Sequence, residues 1–243
     1  HLQTLLLLHP PRPKSSAMAD PWTWYLDIPV ISRTYLTASF VTTAACALDV
    51  VSPFSLYYNF NLIFYKGQLW RLVTNFLFFG LFSLDFLFHL YFLVRYCWYL
   101  EDSARFRGRT GDFLWVILMA GTVMTVIAPF LSSIHFLGSS LTFMMVYVWG
   151  RLHPHQRMSF LGLFPFTAPY LPWVLLAFSL LLGNPILVDA IGICVGHTYY
   201  YLEFVYPTIA EIRGWRLQRI IQTPTLLTHF NLDNDDVRIR WED

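Results

Sequence analysis

The chain has 243 residues, of which 56% are hydrophobic, 19% aromatic and only 13% charged, with a net charge of +1. Soluble domains carry about twice that charged share, so an ordinary water-soluble globule is excluded, and the near-neutral balance excludes a general attraction to nucleic acid. The mean hydropathy of +0.49, at a length suited to one compact bundle, points to a single polytopic membrane domain.

Residues 1–17 read as an extension foreign to the rest of the chain. The run Leu5–Leu8 is too short for a signal-peptide core, no basic segment precedes it, and Pro10, Pro11 and Pro13 come immediately after it. The natural start is expected at Met18, the membrane domain over 18–206 and a polar, partly disordered tail over 207–243. Trp22, Trp24 and Tyr25, close before Pro29, predict an interfacial anchor.

Six apolar blocks of near-spanning length stand at about 34–51, 84–100, 112–130, 135–150, 170–183 and 185–206. Between the first two lies an aromatic, nearly uncharged loop, 52–83, that is expected to lie in the bilayer interface. With six spans, Arg12, Lys14, Arg33, Arg95, Arg105, Arg107, Arg109, Arg151, Arg157, Arg213, Arg216, Arg219, Arg238 and Arg240 fall on one side; only Lys66 and Arg71 fall on the other. Basic residues favour the cytosolic side, so both termini are expected there. The fold class predicted is an all-α bundle of six transmembrane helices.

Cys46, Cys97 and Cys194 lie in apolar stretches without metal or CxxC spacing and read as buried small hydrophobes. No cofactor or metal is implied. Gly192 and Gly196, four apart, let two helix backbones approach closely, and Asp189 shares their face. Alone, such a pair reads as helix packing. Trp70-Arg71 reads equally as a belt tryptophan beside a snorkelling arginine or as a loop organiser. Asp85 and His89, at i and i+4, make an acid–imidazole pair on one helix face, read first as a structural pair. Ser139 and Ser140, with His197 in the last span, could form a nucleophile–base dyad. Serines in membrane helices more often bond backbone or a neighbouring helix.

Taken in order, Trp70-Arg71, Leu100-Glu101, Tyr147-Val148-Trp149 and the Gly192/Gly196 pair resemble the rhomboid superfamily. Ile28-Pro29 with Ile31 and Arg33, Tyr170-Leu171-Pro172-Trp173-Val174, and Gly196-His197 resemble the derlins within it, over roughly residues 20–206. The resemblance implies a six-span rhomboid-like bundle in the endoplasmic reticulum membrane. It also implies a role in endoplasmic-reticulum-associated degradation, aiding retrotranslocation of misfolded proteins.

Active rhomboids carry a histidine three residues before the first glycine of the pair; here stands Asp189. Their nucleophilic serine lies nine residues before the tyrosine of the Tyr-Val-Trp trio; here stands Gly138. Their oxyanion stabilisers fall, with one residue of slack, on Asp85 and His89. An aspartate would repel a developing oxyanion. The resemblance thus implies a pseudoprotease rather than an enzyme.

Span five is broken at its start by Pro165, Pro169 and Pro172 and ended by Gly183-Asn184-Pro185. Its helical part is short enough to draw the bilayer thinner around it. Spans two and five are expected to flank a lateral opening with Asp85, His89, Asp189 and His197 as polar lining. The partners implied are misfolded clients, a membrane ubiquitin-ligase complex, lipid, and homo- or hetero-oligomeric copies. Some derlins end in a Phe-Gly-rich box that recruits a cytosolic AAA unfoldase. Thr228–Asp243 has no glycine, so that contact is expected to be indirect. The competing readings are an intramembrane serine protease using Ser139 or Ser140 with His197, and a client or ligase scaffold that opens no path.

Overall fold

The computed structural model describes residues 21–131, 134–160, 164–215, 221 and 223–228. The expected extension at 1–17, with Arg12 and Lys14, lies outside the described residues, as do Arg216, Arg219, Arg238 and Arg240.

Helix α1 (Pro21–Asp27) turns Trp22, Trp24 and Leu26 outward. Pro29 then opens α2 (Val30–Ala47), whose first turn has no cap from its own N-cap side chain. The orphan N–H groups are met from 70 residues away. The Glu101 carboxylate accepts the amide protons of Ile31 at 2.9 Å and Ser32 at 2.8 Å, and the Ser32 hydroxyl at 2.7 Å. A carboxylate at the positive end of a helix thereby ties the start of α2 to the end of α5 (Leu84–Glu101).

The loop between them folds into α3 (Phe60–Lys66), capped by Asn59 and ended by Gly67 at φ 67°, and α4 (Arg71–Leu77). Arg71 is buried and organises this loop without a carboxylate. Its Nη1 donates to the carbonyls of Phe54 and Tyr57, both at 2.9 Å, its Nε donates to Gln68 at 2.7 Å, and its plane lies over the Tyr57 ring. Trp70 stays half exposed and donates to the Ser55 carbonyl. Arg71 thus organises the loop, while Trp70 packs at its edge with much of its ring exposed.

Helix α6 (Thr110–Ile127) is followed by a 3₁₀ turn at Ala128–Phe130. Together they make the one helix, among the described residues, long and apolar enough to cross a bilayer by both criteria: 21 residues at mean hydropathy 2.1. The other predicted blocks are each occupied by a helix that is shorter or more polar: α2, α5, α7 (Gly138–Leu152), α8 (Leu171–Leu181) and α9 (Ile186–Tyr200). The molecule is predominantly helical, with one departure from the all-α expectation. Arg157–Phe160 (β1) pairs antiparallel with Phe164–Thr167 (β2), Arg157 opposite Thr167. The aromatic and β-branched content there suits a strand pair, although a segment this short between two apolar blocks reads in sequence as a mere connection.

Helix α7 is the centre of the molecule. Apart from Ser139, every residue from Gly138 to Gly150 is buried. Helices α4, α5, α6, α8 and α9 all pack on it. Its closest neighbour is α9, because glycines stand where the two backbones meet. A Cβ at position 192 would sit 2.1 Å from the Ser140 carbonyl oxygen, and one at 196 would sit 3.1 Å from that of Met144. On its other side α7 meets α5 through edge-to-face packing of Trp149 on Tyr96 and stacking of Trp149 on Tyr99.

Helix α9 does not stop at residue 206. Pro207 has no N–H to give, and just upstream the helix widens into a π turn at Tyr201–Val205. It then continues as α10 (Tyr206–Arg213) until Gly214 turns it at φ 65°. Buried Glu203 of the π turn pairs with Arg105, Asp102 accepts Arg107 through both oxygens at 3.0 Å, and Asp112 pairs with Arg109. Ile221 packs on the core, and α11 (Thr225–Thr228) lies against α6. The polar tail is thus ordered in part, and 229–243 lie outside the described residues. These contacts gather Arg33, Arg105, Arg107, Arg109 and Arg151 at one end of the bundle, the basic end. Lys66 and Arg71 lie at the other.

Of the cysteines, Cys46 and Cys97 are buried, whereas Cys194 faces outward, contrary to expectation. Its position on α9 is turned away from the glycine face that meets α7.

Gly192→Ala is expected to lower the unfolding free energy of the purified protein by about 1–3 kcal/mol, since backbone cannot yield to the added methyl as a side chain could. Gly121→Ala, whose Cβ would meet only the Phe76 ring at 3.5 Å, is expected to leave the thermal midpoint near wild type. Equal midpoints for the two variants in a thermal melt would contradict the close α7–α9 contact.

Candidate functional site

Ser83 caps α5 by accepting the Phe86 amide, which sets Asp85 in the first turn and His89 one turn on. The His89 Nε2 lies 3.5 Å from Asp85 Oδ1, an ion pair only when the imidazole is protonated. The same oxygen accepts the Asn184 amide at 2.8 Å. Asn184 comes directly after Gly183, which leaves α8 at φ 87°. The polar head of α5 is therefore pinned to the end of α8. In sequence, Gly183-Asn184-Pro185 signals only a helix stop, and nothing local in it points to a partner 99 residues upstream.

Between α5 and α8, with α7 as floor, lies a cleft of ≈ 340 Å³, part of it open to the surroundings. Asp85, Phe88 and His89 line it from α5, Thr142 and Phe143 from α7, and Leu175, Phe178 and Ser179 from α8. Phe88 and Phe178 meet across it with ring centroids 4.9 Å apart. Most of the wall is apolar, and its polar groups are concentrated at the end carrying Asp85.

Asp189 is fully buried behind this wall rather than on it. Its carboxylate accepts the hydroxyl of Ser179, a cleft residue, and interacts with Ser139 of α7. The acid thus satisfies the rule that a buried carboxylate in apolar surroundings finds donors.

His197 is absent from the cleft. It lies eight residues beyond Asp189 on α9, about 12 Å along the axis, and its Nδ1 is bonded to the Tyr147 hydroxyl at 2.6 Å. The imidazole faces outward at the basic end. Of the four residues expected to line the opening, Asp85 and His89 stand on the cleft wall, whereas Asp189 lies buried behind it and His197 at the basic end.

The same geometry bears on the Ser–His dyad. Ser140 is completely buried, and its hydroxyl donates to the Val188 carbonyl of α9, while Ser139 is engaged by Asp189. Tyr147, the partner of His197, is seven residues beyond Ser140, about 10 Å along α7. Neither serine is hydrogen-bonded to His197 among the described residues. At Gly138 a Cβ would lie 2.8 Å from both the Phe76 carbonyl oxygen and the Phe79 ring. That position has no room for a nucleophile's side chain without a shift.

Known proteins share this pattern along nearly the whole chain. The model of the Der1-like family matches residues 28–225. The chain is 49% identical to Derlin-2.1 of Arabidopsis thaliana over 230 residues, covering 90% of this chain and 91% of that one. It is 48% identical to Derlin-2 of Oryza sativa subsp. japonica over 227 residues, covering 89% and 88%. It is 40% identical to a probable derlin-2 homolog of Dictyostelium discoideum over 217 residues, covering 86% and 83%. With most of both chains aligned in each case, the resemblance drawn from the ordered motifs becomes a membership: this membrane protein belongs to the Der1-like family.

Proposed function

We propose that the protein is a non-catalytic factor of endoplasmic-reticulum-associated degradation that eases misfolded polypeptides from the lumen to the cytosol. In this reading α2, α5, α6, α7, α8 and α9 all cross the membrane, with the basic end cytosolic. The single observation that carries it is the shortness of the helix forming one wall of the cleft. Helix α8 has 11 residues, about 16 Å at 1.5 Å per residue. Adding the preceding 3₁₀ turn brings it to about 22 Å. The hydrocarbon core it faces is about 27–30 Å thick. A helix that falls short is accommodated by local thinning of the bilayer.

Thinning beside a cleft that holds Asp85 and His89 lowers the cost of exposing peptide groups to lipid, since each unsatisfied backbone group in hydrocarbon costs several kcal/mol. The client would leave the lumen where the wall is polar and travel over a shortened apolar distance. Lipid and misfolded clients are the direct partners in this account. A ubiquitin-ligase complex and, through it, the AAA unfoldase supply the pulling force. Proteolysis is not needed. The geometry at Gly138, Ser140 and His197 supports the pseudoprotease reading, because nucleophile, base and oxyanion donors are not assembled around one reacting atom.

Lengthening α8 by four leucines after Leu180 is expected to slow clearance of a lumenal degradation substrate several-fold while complex assembly persists, as read by a translation-block chase. Unchanged clearance with assembly intact contradicts thinning and favours the scaffold reading. A fluorophosphonate probe is expected to label the purified wild type no more than a Ser139→Ala/Ser140→Ala double variant. Labelling abolished by that double substitution would restore the protease reading.

A further inference from the structure

The arginines of the basic end fall into two kinds. Arg105, Arg107 and Arg109 are neutralised by Glu203, Asp102 and Asp112. Arg151, at the end of α7, is exposed, and among the described residues no carboxylate stands against it. It is nevertheless held. Its guanidinium lies over the Tyr200 ring at 5.5 Å and the Tyr147 ring at 6.0 Å. A guanidinium held over aromatic rings keeps its charge, and its planar fork of N–H donors matches the geometry of a phosphate.

Tyr147 links this cation to a second group. Its ring is buried, and its hydroxyl is committed to His197 Nδ1. In the tautomer whose Nδ1 accepts the phenol proton, the other nitrogen of this exposed imidazole carries the ring proton. One tyrosine therefore touches both the exposed cation and the exposed imidazole. From His197 toward the opposite end of α9, the positions at helical spacing are Cys194, Ala190 and Leu187, an apolar strip with Cys194 and Leu187 exposed. A polar head of anion-binding donors above an apolar strip matches an amphiphile rather than a free ion.

We propose that Arg151, carried between Tyr147 and Tyr200, binds with the outer nitrogen of His197 the phosphate of an anionic phospholipid whose acyl chain lies along α9. The site is separate from the cleft between α5 and α8 and does not depend on how clients cross. It uses the orientation proposed above only to say that the cytosolic leaflet supplies the lipid. That leaflet is the anionic one, and a basic residue near its surface contributes about 1 kcal/mol, or roughly fivefold in affinity.

Full-length protein in detergent would be titrated separately with dioctanoyl phosphatidylserine, dioctanoyl phosphatidylcholine and inorganic phosphate, with binding read by native mass spectrometry. Phosphatidylserine is expected to bind more tightly than phosphatidylcholine. Arg151→Gln is expected to weaken phosphatidylserine about fivefold and to weaken phosphatidylcholine, whose choline cation offsets its phosphate, less. Tyr200→Leu, which keeps the charge but removes one supporting ring, is expected to weaken it less. Thermal midpoints near wild type certify that both variants are folded. Equal phosphatidylserine affinity in wild type and Arg151→Gln overturns the proposal. So does inorganic phosphate binding as tightly as the lipid, which would make this a site for a soluble anion.

Discussion

The approach of α9 to α7 at Gly192 governs the rest of the molecule. With no side chain at that position, the backbone of one helix lies against the Ser140 carbonyl of the other, and Ser140 closes the contact by donating to the Val188 carbonyl. In a bilayer, where lipid is as apolar as leucine, such close backbone packing is what holds helices together. It fixes α7 as the hub, buried along nearly its whole length from Gly138 to Gly150. It also decides where everything carried by α9 goes: Asp189 inward toward Ser179, His197 outward against Tyr147.

From this hub the cleft arises almost by necessity. Helix α5 docks on α7 through Tyr96, Tyr99 and Trp149. Its far end meets α8 through the Phe88–Phe178 contact, and the turn after α8 through the Asp85–Asn184 hydrogen bond. A helix of 11 residues cannot cover the height that α5, with 18, presents to it. The gap left between them is apolar through most of its depth and polar at one end. On our account that gradient is the working feature. It offers a chain leaving water a polar threshold and then a short passage, without a residue arranged to cut it. The buried Asp189 supports the threshold from behind and stays out of the wall itself.

Much of this is legible in the order of residues, because membrane helices announce themselves by length and apolarity and because Gly, Pro and Arg carry local meaning. The six blocks each contain a helix, and the block at 170–183, bounded by prolines and Gly183, holds α8. What stays hidden is tertiary. No local pattern tells that Glu101 caps α2, that Asn184 reaches Asp85, or that Tyr147 claims His197. His197 shares a helix with Asp189, which suggests a common place in the cleft, but eight residues of helical rise separate the two. The helix across Pro207 is not visible in sequence because proline reads as a stop, while a π turn absorbs the missing donor. The hairpin at 157–167 is equally hard to see because its strands are four residues each.

The central claim is physical: lipid is thinner beside α8 than elsewhere around the protein. The most direct measurement is the separation of the two headgroup density layers around the full-length protein in a lipid nanodisc, imaged by cryo-electron microscopy. The account predicts a separation beside α8 several ångströms smaller than beside α6, whose helix of 21 residues spans about 31 Å. A uniform separation all around the molecule would contradict it.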